Sequence, residues 1–278
     1  MSSLDLNREL IFIYMSILTA ININNVSKEY RHDIFHGYIS ALLNLNLCVQ
    51  FNEVFGIIGP NGAGKSTTLK ILLGFVRPDH GQVSLFGQPP HDSLVHRRIG
   101  YLPENPYLFD NLSAYEHLVF AARTTGMDKN LRKERIAKTL EMVELSHAAH
   151  KKIKNYSKGM VQRAALAYAL LHEPELLILD EPMSGLDPIG RELVVNIIRD
   201  YHARGNTILF CSHVLVDVER ICDRICILDK GQIQALITPG ELRNQESPPW
   251  TEKRQWNSPL EKYFHQTLKH EDDAESVV

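Results

Sequence analysis

In the stretch Gly59-Pro60-Asn61-Gly62-Ala63-Gly64-Lys65-Ser66-Thr67, the first eight residues follow the pattern G-x-x-x-x-G-K-[ST] without a mismatch. Glycines at 59, 62 and 64 let the backbone turn tightly, so that successive N–H groups point at phosphate oxygens. A helix that starts here turns its N-terminal dipole towards the same anion. Lys65 would reach the β- and γ-phosphates, and the Ser66 hydroxyl would ligate Mg²⁺. Pro60, Asn61, Ala63 and Thr67 fill out the cradle. The context agrees: Val54–Ile58 reads as a buried strand, and Thr68–Leu73 has the apolar spacing of a helix docked on a sheet. The pattern implies a bound nucleoside triphosphate.

A second constellation follows the apolar run Leu176–Leu179, which reads as a fully buried parallel strand and ends in Asp180-Glu181-Pro182. Carboxylates at the C-terminal end of such a strand face the crevice where ligands of open α/β sheets bind. Asp180 offers the oxygen that a hard cation such as Mg²⁺ wants. Glu181 is placed to orient and polarise an attacking water as general base. The plainer alternative is an acidic pair that caps the next helix. His213 follows the strand Ile208–Cys211 at the same sheet edge, within reach of a γ-phosphate. A lone histidine is more often structural.

The elements that must position these residues fall into three stretches. The opening is β-rich: a first strand over Ile17–Val26, then a hairpin region over 31–53 in which Leu42, Leu45, Leu47 and Val49 partly alternate. Short strands at 82–87 and 98–103 follow the phosphate-loop helix. From about 111 to 172 the chain turns helical. Ser113 and Glu116 form a capping box, and a second helix runs from about Leu131 to Leu145 with Ile136, Leu140 and Val143 on one face. A third starts near Ser157, and its stripe of Met160, Ala164, Ala167 and Leu171 reads as core. Then α/β alternation returns, with strands at 176–179, 208–211 and 225–228 and a helix between about Arg191 and His202. Such alternation implies a mostly parallel sheet flanked by helices. The stretch 244–258 reads as a linker, Leu260, Tyr263, Phe264 and Leu268 mark a short amphipathic helix, and Glu271–Glu275 reads as a frayed acidic tail.

Composition narrows the partners. A chain of 278 residues suits one large domain or a domain with a subdomain. A formal charge of -3 gives no sign of a nucleic-acid-binding surface. Cys48, Cys211, Cys222 and Cys226 form no CxxC pair, so buried reduced thiols are expected rather than a metal site. The apolar run Leu10–Leu18 is too short for a membrane span of about 20 residues. It has signal-peptide length, but nucleotide chemistry needs the cytosolic side, and a translation start at Met15 explains residues 1–14 more simply.

Taken in order, these motifs closely resemble the ATP-binding subunit of an ABC transporter, over roughly Ile21 to Leu236. Gly59–Thr67 matches the Walker A loop, Leu176–Glu181 Walker B, Ser184–Asp187 the D-loop and His213 the H-loop. Tyr156–Arg163 is similar to the signature, and Tyr30 stands where the family stacks an aromatic on adenine. Two departures stand out. The usual Leu-Ser-Gly-Gly-Gln is replaced at three positions by Tyr156, Lys158 and Met160, while Ser157 and Gly159 remain to grip a γ-phosphate. Glu104 replaces the Q-loop glutamine; its carboxylate can still ligate Mg²⁺ or its water. Lys158 would either assist phosphate binding or point to solvent.

The resemblance implies an α/β fold: a P-loop NTPase core with a mostly parallel sheet, an N-terminal antiparallel β-subdomain and an inserted α-helical subdomain. It divides the chain into an extension (1–20), an ATPase domain (21–240, helical subdomain about 105–172) and a region of linker, short helix and acidic tail (241–278). It also implies ATP and Mg²⁺ as cofactors and hydrolysis by Glu181, His213 and Lys65. ATP would lie against Tyr30 and residues 59–67 of one copy and against Ser157 and Gly159 of a second copy in a head-to-tail dimer. Ser66, Asp180 and Glu104 would hold the metal. The expected setting is peripheral, on the cytoplasmic face of the inner membrane, bound to an integral-membrane permease and powering an exporter. No nucleic-acid partner is expected. Competing readings are a soluble ABC-type ATPase acting on ribosomes, DNA or cluster assembly, and a nucleotide-binding adaptor that switches without turnover.

Overall fold

The structure, a computed structural model, describes residues 19–32, 37–244 and 258–275. They form two compact units, one made of the residues up to Val95 together with those from Phe210 onward, the other His96–Leu209.

The first unit opens with a three-stranded antiparallel sheet. β1 (Thr19–His32) lies between β2 (Gly37–Gln50) and β4 (His80–Leu85), with Ile21 opposite Val49 on one side and Leu85 on the other. Leu42, Leu45, Leu47 and Val49 are all buried, which is why β2 keeps its register. Two expectations need correction here. The region 31–53 is not a hairpin in itself: β2 is one 14-residue strand whose partner is β1, and β1 runs on to His32 through several register shifts. Thr19 and Ala20, expected in the N-terminal extension, are buried in β1, where the Phe86 N–H donates to the Ala20 carbonyl. Residues 1–18, including the Met15 start, and the linker 245–257 lie outside the described residues.

β3 (Val54–Ile58) is buried along its length and leads through the phosphate loop into α1 (Lys65–Leu72), with the short α2 (Ser93–His96) further on. In the second unit, β5 (Ile99–Leu102) is followed by α3 (Ala114–Thr124), α4 (Lys129–Met142) and α5 (Lys158–Leu170). The capping box at the start of α3 is present as expected: the Ser113 hydroxyl accepts from the Glu116 N–H, and Glu116 accepts from the Ser113 N–H. Ile136, Leu140 and Val143 are buried, as are Ala164, Ala167 and Leu171; Met160 is half-buried. β6 (Leu176–Asp180) runs parallel to β5, and α6 (Pro188–Ala203) starts with Asp187 as its cap and Pro188 in its first turn.

β7 (Thr207–Cys211) leads back to the first unit, where α7 (Leu215–Ile221), β8 (Arg224–Asp229), β9 (Gln232–Ile237) and α8 (Pro239–Asn244) follow. β8 is parallel to β3, and β9 is antiparallel to β8. The last helix, α9 (Pro259–Glu275), packs on α7 and α8 through the fully buried Leu260. Its backbone stays helical through Glu275, so the acidic stretch expected to fray continues the helix.

Candidate functional site

In the first unit, the strand that feeds the phosphate loop is anchored before it arrives. The Arg224 guanidinium lies over the Phe55 ring, donates twice to Glu53 at 2.5 and 3.1 Å and once to the Cys48 carbonyl at 2.8 Å. Asp223 accepts from the Val54 N–H while its own N–H donates to the Val54 carbonyl. This pins both strand starts, so that β3 delivers Gly59 at a fixed height beside Leu228.

Gly59 has no room for a side chain: a Cβ there would stand 2.1 Å from the Leu228 carbonyl oxygen. Gly62, at φ +85°, faces open space, as a backbone cradle for phosphates requires. The Ala63 N–H donates to the Pro60 carbonyl, and the Lys65 ammonium donates to the carbonyls of Gly59 at 2.5 Å and Pro60 at 2.9 Å. These bonds fold the charged end of Lys65 back over the loop. Ser66 and Thr67 follow in the first turn of α1, with Ser66 exposed. From below, the Gly231 N–H donates to the Ala63 carbonyl. In the sequence, Asp229-Lys230-Gly231 reads only as a turn, and no local pattern marks Gly231 as a prop for the loop.

His213 belongs to the same unit and the same end of it. The Ser212 N–H donates to the Ile57 carbonyl, and the Ser212 hydroxyl accepts from the Val214 N–H, so exposed His213 sits on a tight turn beside the strand that enters the loop. Tyr30 lies near the far end of β1, about two-fifths exposed, with the Lys28 ammonium over its ring.

In the second unit, Asp180 ends β6 and Glu104 follows β5 by two residues, so the parallel pairing brings both carboxylates to one sheet edge. Glu104 is exposed, whereas Glu181 is buried and left-handed at φ +49°. Ser157 caps α5, its hydroxyl accepting from the Met160 N–H. The start of α5 and the D-loop touch: Gly159 faces Leu186, and Lys158 lies on Gly185. Asp187 accepts from the Gly190 N–H at 2.7 Å as the cap of α6.

Each unit's donors suit part of a Mg-nucleotide: the first offers an open glycine cradle with a lysine at its mouth and the Ser66 hydroxyl, and the second offers the carboxylate oxygens of Asp180 and Glu104 that a hard cation takes. A profile of the family described as ABC transporter matches residues 42–184, half of the chain and more. The chain belongs to the ABC transporter ATP-binding family.

Relatives of this ABC cassette include an uncharacterized ABC transporter ATP-binding protein of Nostoc sp., 45% identical over 79% of this chain and 65% of that one. Another, YxlF of Bacillus subtilis, is 42% identical over 81% of this chain and 73% of that one. Nod factor export ATP-binding protein I of Burkholderia orbicola is 37% identical over the same shares. The match thus spans just under two thirds of the Nostoc relative and 60% of a Synechocystis one. Among solved structures, an ATP-binding subunit of an ABC transporter matches with a TM-score of 0.73 at 32% identity, over 82% of this chain and 93% of that one. A dimeric post-hydrolysis cassette bound to ADP and Pi also gives 0.73, at 27% identity, over 79% and 98%. The fold is accordingly the α/β fold of ABC ATPase cassettes.

Within the cassette, burial pushes the Cys222 thiol well above its usual value and that of Cys226 up to about 12. Cys222 packs against Gly56 under β3, where it serves as a small hydrophobe. Among the described residues no helix is long and apolar enough to cross a membrane.

Proposed function

We propose that this cassette is the ATP-hydrolysing subunit of an exporter, working as a head-to-tail pair of copies docked on an integral-membrane permease at the cytoplasmic face of the inner membrane. The observation that carries the reading is the phosphate loop, with its open Gly62, its Lys65 folded over the mouth and its rigid underside. Residues 59–67 would hold the phosphates, Tyr30 would stack on the adenine, and Ser66 and Asp180, with Glu104, would provide the oxygen ligands of Mg²⁺. Bound there, Mg²⁺ would supply positive charge to offset that on the phosphates. Lys65 stabilises the β- and γ-phosphates, Glu181 accepts the proton of the attacking water, and His213 donates to the γ-phosphate. Ser157 and Gly159 of the second copy close the other side, with the N-terminus of α5 directed at the γ-phosphate.

The permease partner is supported by exposed aromatic residues after Glu104. Tyr107 is almost wholly exposed, and Phe109 and Phe120 are mostly so, all in the second unit. A permease docked on this unit would cover these aromatic rings. The export direction is supported by the resemblance to Nod factor export ATP-binding protein I, whose cargo is its own. The formal charge of -3 disfavours ribosomal or DNA targets.

Co-purification from gently solubilised membranes, followed by ATPase assay with and without the partner, tests the proposal. Recovery of a multi-span permease that alters turnover is the expected result. The double variant Tyr107→Ser, Phe109→Ser should lose the permease while its ATP affinity stays. A chain that stays soluble or brings down ribosomes would overturn the reading.

A further inference from the structure

Gln162 is buried in α5, just past the signature residues Ser157–Gly159, on a helix face otherwise filled with alanine and leucine. Its terminal nitrogen stands 3.4 Å from the Glu181 carbonyl oxygen and 3.2 Å from that of Pro182. Only the amino end of the amide suits that position. The carbonyl end would face two acceptors with no hydrogen to offer. Nε2 therefore donates to both carbonyls, one hydrogen to each.

The backbone it holds is unusual. Glu181 is left-handed at φ +49° without being glycine. That conformation is disfavoured for an L-residue, and it persists only where the surroundings over-determine it. Two restraints meet on the Glu181 carbonyl: the Ser184 N–H donates to it at 3.0 Å, and Gln162 donates from the other element. The first is local to the turn. The second ties the turn to a helix.

We propose that Gln162 is a positioning residue for hydrolysis: its amide clamps the Glu181–Pro182 backbone in the left-handed turn from which the Glu181 carboxylate acts. The proposal rests on the reading of Glu181 as the base. It has a corollary for the paired cassette. Ser157 and Gly159 address the nucleotide of the second copy, whereas Glu181 serves the nucleotide of its own. Five residues of helix, about 8 Å at 1.5 Å per residue, separate Ser157 from Gln162. A shift of α5 on closing against the second copy's phosphate is thereby carried to the backbone under the base of the first.

Gln162→Met keeps the length and burial of the side chain and removes both donors. In the 278-residue chain its kcat should fall about 10- to 100-fold, as for a base displaced by about an ångström. Its ATP Kd should stay within about twofold of wild type, because the ground-state phosphate contacts are elsewhere. Unchanged kcat in the folded variant would overturn the proposal, and so would a parallel loss of ATP affinity, which marks general damage. Should Gln162→Met not fold, Gln162→Asn keeps the amide and withdraws it by one carbon–carbon bond, about 1.5 Å. The same split of kcat from Kd is expected of it, and its absence would overturn the proposal equally. Glu181→Gln run alongside separates the two readings. If it hydrolyses normally, the base assignment fails and this inference with it. If it is inactive while both Gln162 variants turn over normally, only the clamp fails.

Discussion

The methylene stem of Lys158 lies across Gly185: a Cβ on the glycine would stand 2.6 Å from both Cδ and Cε of the lysine. Lys158 occupies a position where the family signature usually has glycine, and its stem neither reaches straight into solvent nor lies idle. It roofs the D-loop at its left-handed residue, Gly185 at φ +73°. Lys158→Ala should expose that turn, and hydrogen exchange at the amides of Ser184 and Leu186 should accelerate. Lys158→Met, which keeps the stem, should leave the exchange rates near wild type. Equal acceleration in both variants would assign the effect to charge instead.

Lys65 and Glu181 are expected to fail in different ways. Lys65→Ala removes a charge-assisted contact worth about 1.5–3 kcal/mol, so ATP affinity should fall about 10- to 100-fold by equilibrium titration. Glu181→Gln keeps every phosphate contact and removes the proton acceptor. It should bind ATP normally, turn over far more slowly, and accumulate as an ATP-bound dimer on size exclusion. An Lys65→Ala chain with unchanged affinity would refute the loop assignment.

The three loop glycines are not equivalent. Gly59→Ala forces a methyl into the Leu228 carbonyl and requires β3 and β8 to part, so folding and nucleotide binding should both suffer. Gly62→Ala meets nothing within 4 Å and pays only for its φ of +85°, about 1–2 kcal/mol. Thermal melting of the two variants side by side should show the larger drop for Gly59→Ala.

His172 supplies a pH dependence of stability. Its Nε2 donates to the Ile99 carbonyl at 3.0 Å beside Arg135, and burial holds its pKa below the usual 6.5. The folded state therefore prefers the neutral ring. Its contribution is fully present above pH 6.5 and is lost as pH falls below that value, where the unfolded chain takes up the proton first. The melting temperature should drop between pH 7.5 and about 5.5, and less so in His172→Gln. A wild-type curve no steeper than the variant's would contradict this.

What the sequence disclosed was local. A capping box needs only Ser113 and Glu116 three residues apart, and the loop glycines sit within six residues of one another. Leu42, Leu45, Leu47 and Val49 gave away the buried face of β2 by their alternation. The outer half of β1 was hidden because Ser27–His32 is polar and its pairing is interrupted by register shifts. β9 was hidden as well, since Gln232–Ile237 mixes amides with apolar residues and is mostly half-exposed. Within the candidate site, residue types were readable but their supports were not. Gln162 under Glu181, Gly231 under Ala63 and Lys158 over Gly185 join residues 19, 168 and 27 positions apart, and no short pattern announces such pairs.

The anchoring of β3 bears on the order in which the protein can be made. Val54 is held by Asp223, Glu53 by Arg224, and Ala63 by Gly231; the first two partnerships close across 169 and 171 residues. Pairings of such separation form late, because the loop-closure entropy has to be overcome first. A chain emerging from the ribosome therefore presents its glycine loop long before the strand that props it exists. Until residue 231 is released, the N-terminal part has the motif without its scaffold. Nucleotide cannot assist the early steps of folding, and a product truncated after α6 would carry every loop residue yet no competent loop.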